Sequence, residues 1–358
     1  MVRPGVVKAI SDPVPMLSRV PRRACALATA LALLIVQVGM VAAADTPAHE
    51  LKLSVALGPA FALGKAAEEW ARLIGEQTGK ALTARVFPGS TLAQRDPARE
   101  FIALREGAAD LAVGSTLYWS MQVKELGVAS LPWMAPTFPQ LEALTGGEVA
   151  QQLSDAVGRA GAVLLAIAPI GHRELASVKG AMHAPADLEG FSVRTVAMPL
   201  LTDFYGTLGA RPAAMSGAAT RDAFASGALD GQQGPLAAFA ATRLDAMGVR
   251  FVTVWGAIGE LAVFAVNRQT WDALTEAERV TLAGAARQSA QKLTAAARAE
   301  SEAALETLRQ RGITITRLLP PAQAAFIAAV QPVTARWSAV IGEDLVKAAQ
   351  AASRAAVP

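Results

Sequence analysis

The chain has 358 residues, a length that accommodates one large or two ordinary domains. Hydrophobic residues make up 53% of it and charged residues 18%, which excludes a disordered chain. Residues 1–44 carry five of the 33 basic side chains but one of the 30 acidic ones, so the remainder has a net charge of −1 and no nucleic-acid partner is predicted.

The first 44 residues have the pattern of a cleaved signal peptide. A basic segment with Arg22 and Arg23 precedes a mostly apolar stretch over residues 24–41, and the alanines at 42–44 form a small-residue cleavage site before Asp45. An uncleaved membrane anchor is the alternative, because about 18 apolar residues just suffice to span a bilayer. No later apolar run reaches that length, so the mature protein is not expected to span a membrane.

The single cysteine, Cys25, belongs to this N-terminal segment. A mature chain that begins near Asp45 therefore has no disulfide, thiolate nucleophile or cysteine-ligated zinc. A signal peptide on a chain of this size without disulfides predicts a periplasmic location.

After residue 45, strand-like and helix-like segments alternate, which predicts an α/β fold with parallel sheets. An apolar strand over 51–57 precedes an amphipathic helix over 61–78. The wholly apolar strand over 162–170 is typical of a parallel sheet covered on both faces. Further helices are predicted over residues 97–107, 139–158, 271–311 and 321–352, and further strands over 81–87, 110–113, 192–196, 229–232, 251–254, 261–266 and 313–318.

The sequence lacks the motifs of common enzymes and metal sites. It contains no H-E-x-x-H, G-x-S-x-G, C-x-x-C or G-x-G-x-x-G pattern. His49, His172 and His183 are not spaced as metal ligands. We therefore expect no catalytic residue, no metal and no cofactor, and we interpret the chain as a non-enzyme.

The most informative segment runs from residue 171 to residue 235. It contains GHR (171–173), PADLEGFSVR (185–194), LGA (208–210), PAAM (212–215) and AFASGALDGQQGP (223–235). VFPGSTL (86–92), LREGAADL (104–111) and LPW (131–133) precede it. In order and spacing, from about residue 51 to about residue 310, these motifs resemble the solute receptors of tripartite ATP-independent periplasmic (TRAP) transporters, of the DctP type.

This resemblance implies an α/β fold of two lobes, with a ligand cleft between the lobes and a long connecting helix. Lobe 1 is expected at residues 45–170 plus about 260–300, and lobe 2 at 171–259. The C-terminal strand and helices, 301–358, are expected to pack on both. The resemblance also implies that the receptor captures a small organic acid and delivers it to the membrane subunits of a TRAP permease.

Two arginines are the main candidate ligand-binding residues. In the family, the arginine that matches Arg194 anchors the substrate carboxylate, and the one that matches Arg173 often supports it. The chemistry agrees, because a guanidinium at a strand end can bind a carboxylate through two parallel hydrogen bonds. The alternative for each is a surface or salt-bridged arginine. Aromatic residues are further candidates for the pocket wall, namely Phe61, Tyr118, Trp119 and Trp255, whereas Trp133 is expected in the core.

Three departures from the family pattern fall near the expected ligand. Gly234 and Ala197 replace amide residues, and the segment that ends at Arg221 has lost a glutamate and a tyrosine and gained a positive charge. Fewer amides argue against a polyhydroxylated sugar acid, which needs many hydrogen bonds. Arg221 and the aromatic residues favour a small acid, either aromatic or branched, or a dicarboxylate. Alternatively, Gly234 only enlarges the pocket, because glycine has no side chain.

Two other functions stay open at this point. One is a periplasmic hydrolase or lyase on a similar scaffold, against which the missing nucleophile and base argue. The other is a sensory receptor that presents its ligand to a membrane kinase, which the sequence does not distinguish from a transport receptor.

Overall fold

A computed structural model describes residues 49–215 and 217–357, without the side chains at 217 and 218. The predicted signal peptide and its cleavage site lie outside the described residues. Within them no single helix has the length and hydropathy to cross a membrane; residues 320–329 and 331–341 meet that test only as a pair, with a 62° bend between them.

The helices and strands alternate along the chain. The helices are α1 (Ala62–Gln77), α2 (Glu100–Arg105), α3 (Thr116–Trp119), α4 (Phe138–Ala143), α5 (Gly147–Arg159), α6 (Pro199–Thr207), α7 (Gly217–Ala225), α8 (Leu236–Ala241), α9 (Arg268–Ala273), α10 (Glu276–Gln310), α11 (Pro320–Ala329), α12 (Gln331–Ile341) and α13 (Glu343–Ala355). The strands are β1 (His49–Val55), β2 (Leu82–Pro88), β3 (Leu111–Ser115), β4 (Ala162–Ser177), β5 (Ser192–Thr195), β6 (Arg211–Ala214), β7 (Gly231–Gly234), β8 (Phe251–Asn267) and β9 (Thr314–Arg317).

The strands form one mixed sheet in the order β2-β1-β3-β8-β4-β7-β5-β6, with β9 beside β8. β1 is parallel to β2 and β3, and β5 is parallel to β6 and β7. The expectation of a parallel partner for the apolar strand at 162–170 is wrong, because β4 is antiparallel to both β8 and β7. The apolar sequence of β4 indicates that both of its faces are covered, but it does not distinguish parallel from antiparallel pairing.

Two long strands, β4 and β8, connect the two lobes of the fold. The end of β8 at residues 262–266 pairs with β3, whereas residues 174–177 of β4 pair with β7. The predicted strands at 251–254 and 261–266 are therefore one strand, and 162–170 extends to residue 177. The exact lobe boundaries stay predictions.

The long helix α10 contacts elements of both lobes. It has 35 residues and is therefore about 52 Å long. Its Leu282 carbonyl accepts a hydrogen bond from Trp70 Nε1 of α1 at 3.2 Å. Just beyond its C-terminal end, Arg311 Nη1 donates to the carbonyl of Ala240 in α8 at 2.6 Å. One rigid element is thus bonded to both sides of the cleft.

Three predicted helices are interrupted where local residues stop them. Residues 271–311 divide before Thr275, whose side chain accepts from the Glu278 amide while Glu278 accepts from Thr275, a reciprocal cap that starts α10. Residues 139–158 divide at Gly147, which has φ +57°. Residues 321–352 divide at Val330 and again at Gly342, which has φ +127°.

Apolar clusters cover both faces of β8. Phe264 packs edge-on against Trp70 of α1, with ring centroids 5.5 Å apart. Val263 and Ala265 face the opposite way, into a cluster that contains Trp119. Helices on each side of the sheet therefore hold the C-terminal part of β8 in a fixed position.

Candidate ligand-binding site

A cavity of about 250 Å³ lies where β4 and β8 pass between the two lobes. Residues of the loop that follows β1, the start of α1, and the β3–α3 junction line one side, and β5, β7 and α8 line the other. The middle of β4, Glu260 of β8 and residues 297 and 300 of α10 complete the wall. A volume of this size suits a ligand of a few non-hydrogen atoms, smaller than a typical drug molecule.

Arg173 is a buried cation with fixed partners. It lies on β4 with 5% of its surface exposed. Its Nη1 donates to Oε2 of Glu260 at 3.0 Å, and its Nε donates to Oε1 of Gln233 at 2.6 Å. Burial is the largest influence and opposes its charge, but Glu260, Tyr118 and Tyr205 together outweigh burial, so the pKa of Arg173 is raised above its ordinary value. Ser115 Oγ donates to the other oxygen of Glu260 and holds it in place.

Arg194 is the cation without a fixed acidic partner. It lies half-buried on β5, and its Nε and Nη2 donate to the carbonyl of Met215 at 3.2 and 3.1 Å. No carboxylate of the described residues forms an ion pair with it. Burial lowers its pKa, Tyr118 partly offsets this, and the charge of Arg173 lowers the pKa further, so an anion in the cavity would stabilise this guanidinium.

Uncharged polar groups complete the wall around the two arginines. Gln233 is 1% exposed, and its Nε2 has no hydrogen-bond partner among the described residues. Burial raises the pKa of the Tyr118 hydroxyl, and the guanidinium of Arg173 partly offsets this. His172 also lines the cavity, but its Nε2 lies 2.8 Å from the Ala135 carbonyl and burial lowers its pKa, which favours the neutral ring.

The cavity brings together five of the eight residues predicted from the sequence, namely Phe61, Tyr118, Arg173, Arg194 and Gly234. Gly234 leaves little spare room, since a Cβ there would lie 3.1 Å from the ring of Phe239. The small residue therefore accommodates the packing of α8.

The structure places the other three elsewhere. Trp119 is fully buried against Phe101, because it follows Tyr118 by one residue and so points about 100° away around the helix. Trp255 is 4% exposed among core aromatic rings, and its Nε1 donates to the Arg173 carbonyl at 3.1 Å, so it supports β4 from behind. Arg221 is exposed on α7 and does not line the cavity. Trp133 lies in the core as expected.

Several lining residues were not identified from the sequence. Gln232 and Gln233 belong to the AFASGALDGQQGP motif, so their position was a usable signal. Ser115, Glu260 and Glu300 carry no local signal, because distant strands and α10 bring them to the cavity. Among the described residues, no group of three His, Cys, Asp or Glu side chains is arranged to hold a metal ion.

Known proteins resemble the chain along most of its length. The family model DctP, bacterial extracellular solute-binding protein, family 7, matches residues 53–339. A solved TRAP periplasmic solute-binding protein from Ralstonia eutropha H16, with bound (S)-2-acetolactate, is 39% identical with a TM-score of 0.81, and the match covers 86% of this chain and 99% of that one.

Two further relatives are associated with dicarboxylates. A TRAP periplasmic solute-binding protein from Sulfurospirillum deleyianum, with bound succinate, is 25% identical with a TM-score of 0.75, over 85% of this chain and 99% of that one. The C4-dicarboxylate-binding periplasmic protein DctP of Rhodobacter capsulatus is 27% identical over 306 residues, which are 85% of this chain and 90% of the relative.

Proposed function

The chain belongs to the DctP family of bacterial extracellular solute-binding proteins, and we propose that it is the receptor that supplies a TRAP permease with a small organic acid. It works in the periplasm, without making or breaking a covalent bond. The ligand enters the cavity between the lobes, the lobes close over it, and the membrane subunits take it from the loaded receptor.

The observation that carries this proposal is the state of Arg194. A half-buried guanidinium faces the cavity, its pKa is lowered by burial, and no acidic side chain of the described residues is paired with it. A ligand carboxylate supplies the missing charge and accepts hydrogen bonds from a planar donor group. Arg173, held by Glu260 and Gln233, lies along the same wall and defines its shape.

The size of the cavity favours a small acid. Acetolactate, the ligand of the relative that is 39% identical, is a branched acid with few non-hydrogen atoms, and it is the first compound to test. A small branched acid also agrees with the loss of amide residues near Gly234 and Ala197, because such an acid needs few hydrogen bonds.

The proposal is tested by isothermal titration of the mature protein with acetolactate and a panel of related carboxylates. Removing one partner of a buried charge pair costs about 2–5 kcal/mol. Arg194→Ala should therefore weaken binding by about thirtyfold to several thousandfold. Arg221→Ala is the matched control, since it removes a guanidinium from the exposed surface of α7 and should leave affinity unchanged.

Two results would contradict the proposal. Binding to Arg194→Ala within about threefold of wild type would show that the carboxylate is anchored elsewhere. Conversion of the bound acid, followed by NMR of the recovered compound, would indicate the hydrolase or lyase alternative.

A further inference from the structure

Among the described residues, the charged side chains of the cavity wall are two guanidinium groups and two carboxylates. The cations are Arg173 and Arg194, and the anions are Glu260 and Glu300. The four charges cancel, so the cavity wall as a whole does not attract an anion. Whether one of the cations can bind a ligand carboxylate depends on which of them the two glutamates already neutralise.

Glu260 is committed to Arg173. The ion pair between them has an N–O distance of 3.0 Å, and the two side chains are 8% and 5% exposed. The second oxygen of Glu260 accepts from Ser115 Oγ, so both carboxylate oxygens are engaged. Breaking this buried pair would leave an uncompensated charge at the cavity wall, which is strongly unfavourable. The positive charge of Arg173 is therefore already balanced by the protein.

Glu300 is committed to the start of α1. Its Oε1 accepts from the amide of Ala62 at 2.9 Å, at the first helical residue. Burial raises the pKa of Glu300, and the amide of Ala62 and the charge of Lys65 partly offset this. The positive end of the helix dipole thus faces a carboxylate of the protein, and α1 is not free to receive a ligand anion.

We infer that Glu260 restricts the receptor to ligands with a single carboxylate, because it leaves Arg194 as the one uncompensated cation among the described residues that line the cavity. This inference rests on the proposed function. A second ligand carboxylate in so small a cavity would face Glu260 and Glu300 without a cation of its own, and like charges brought together on binding weaken it.

The rest of the ligand should carry neutral oxygen atoms. The buried Nε2 of Gln233 has no partner among the described residues and belongs to a side chain that lines the cavity. An amide N–H left unbonded in a closed site is costly, and a hydroxyl or keto oxygen of the ligand would satisfy it. The geometry therefore specifies a small monocarboxylate with an adjacent hydroxyl or keto group.

The test compares two matched acids on the wild-type protein. Citramalate keeps the carboxylate, the tertiary alcohol and the methyl group of acetolactate, and it carries a carboxymethyl group, and so a second carboxylate, in place of the acetyl group. The inference expects acetolactate to bind at least about tenfold more tightly in isothermal titration at neutral pH. Equal affinity, or a preference for citramalate, would overturn it while leaving a carboxylate receptor in place.

The second arm removes the charge of Glu260 and keeps its shape. Glu260→Gln retains an acceptor for Arg173 and releases its positive charge, so the ratio of citramalate to acetolactate affinity should rise at least about tenfold. The matched control, Asp245→Asn, removes an ion-paired carboxylate that does not line the cavity and should leave the ratio unchanged.

The outcomes separate the inference from the proposed function. An unchanged ratio in folded Glu260→Gln would overturn the role of Glu260 alone. Failure of the wild-type protein to bind any carboxylate in the panel would remove the proposed function and the inference together. If Glu260→Gln does not fold, the wild-type comparison of the two acids still decides whether a single carboxylate is preferred.

Discussion

Arg173 and Arg194 line the same cavity in opposite electrostatic states. Arg173 is buried, and Glu260 holds its charge in place. Arg194 is half-buried, and a backbone carbonyl is its hydrogen-bond partner. Because a buried ion pair is costly to break, the first arginine keeps its partner, whereas the second forms no ion pair with any described residue. Substitutions at Arg194 and at Glu260 test these separate roles.

Glu174 is a buried carboxyl group on β4, next to Arg173 in sequence but on the opposite face of the strand. It is 3% exposed, and its Oε2 accepts from the amides of Trp255 and Gly256 at 2.8 and 3.2 Å. Burial raises its pKa from 4.5 to about 7, although these amides oppose the shift. The folded protein therefore holds this proton more tightly than the unfolded chain does.

This shift predicts the pH dependence of a Glu174→Gln variant. The contribution of Glu174 to stability is complete below pH 4.5 and is lost as pH rises through about 7. The neutral variant avoids that loss. Its free energy of unfolding, relative to that of wild type, should therefore rise by up to about 3 kcal/mol as the pH increases from 4.5 to about 7. Urea unfolding at a series of pH values measures the difference. Parallel pH curves for the two proteins would contradict the assignment.

At the scale of the elements, an irregularity in β8 makes room for the carboxyl group of Glu174. Pairing of β4 with β8 passes from Arg173 and Ile258 directly to Leu175 and Thr253, so residues 254–257 lie opposite Glu174 alone. Gly256, inside this bulge, has φ +62°, and a Cβ on it would lie 2.4 Å from the Pro136 carbonyl oxygen. The bulge therefore depends on a residue without a side chain.

Alanine substitutions at two glycines should have opposite effects. Gly256→Ala forces a left-handed backbone and a steric overlap, so unfolding should become easier by about 2–4 kcal/mol. Gly284 lies inside α10, and the position that a Cβ would take there has no neighbouring atom within 4 Å, so Gly284→Ala should stabilise the protein by about 0.5–1 kcal/mol. Denaturant unfolding checks both, and a neutral Gly256→Ala would show that the bulge relaxes at no cost.

At the scale of the whole molecule, a ligand in the cavity would contact residues of both lobes. A ligand that binds the folded state alone stabilises it by an amount set by its concentration relative to Kd. The long helix α10 is bonded to α1 through Leu282, and Arg311, just beyond its end, is bonded to α8, so we expect the ligand to stabilise both lobes together.

A thermal-shift measurement tests this coupling. Acetolactate at about 100 times its Kd should add about 2.7 kcal/mol to the free energy of unfolding and raise Tm by a few degrees. The Arg194→Ala variant at the same ligand concentration should shift much less. A transition that splits into two, with one half insensitive to ligand, would contradict a single cooperative unit.

The sequence by itself determined the class of fold, the main helix and strand positions and the best candidate anchor. Apolar periodicity located α1, whose Leu63, Trp70 and Ile74 are buried, because that pattern reports which face meets a core. The order and spacing of the motifs indicated the receptor family and, through it, Arg173 and Arg194 as candidate ligand-binding residues. The solved relative from Ralstonia eutropha has the same fold.

Tertiary structure alone decided which side chains share the cavity. Ser115 meets Glu260 across 145 residues because β3 pairs with β8, and no local pattern encodes that pairing. The same holds for Trp119 and Trp255, since an aromatic side chain is equally apolar in a core and in a pocket wall. Local sequence specifies the face that is buried, whereas the partner across that face depends on strand order and register, which arise only when the whole chain packs.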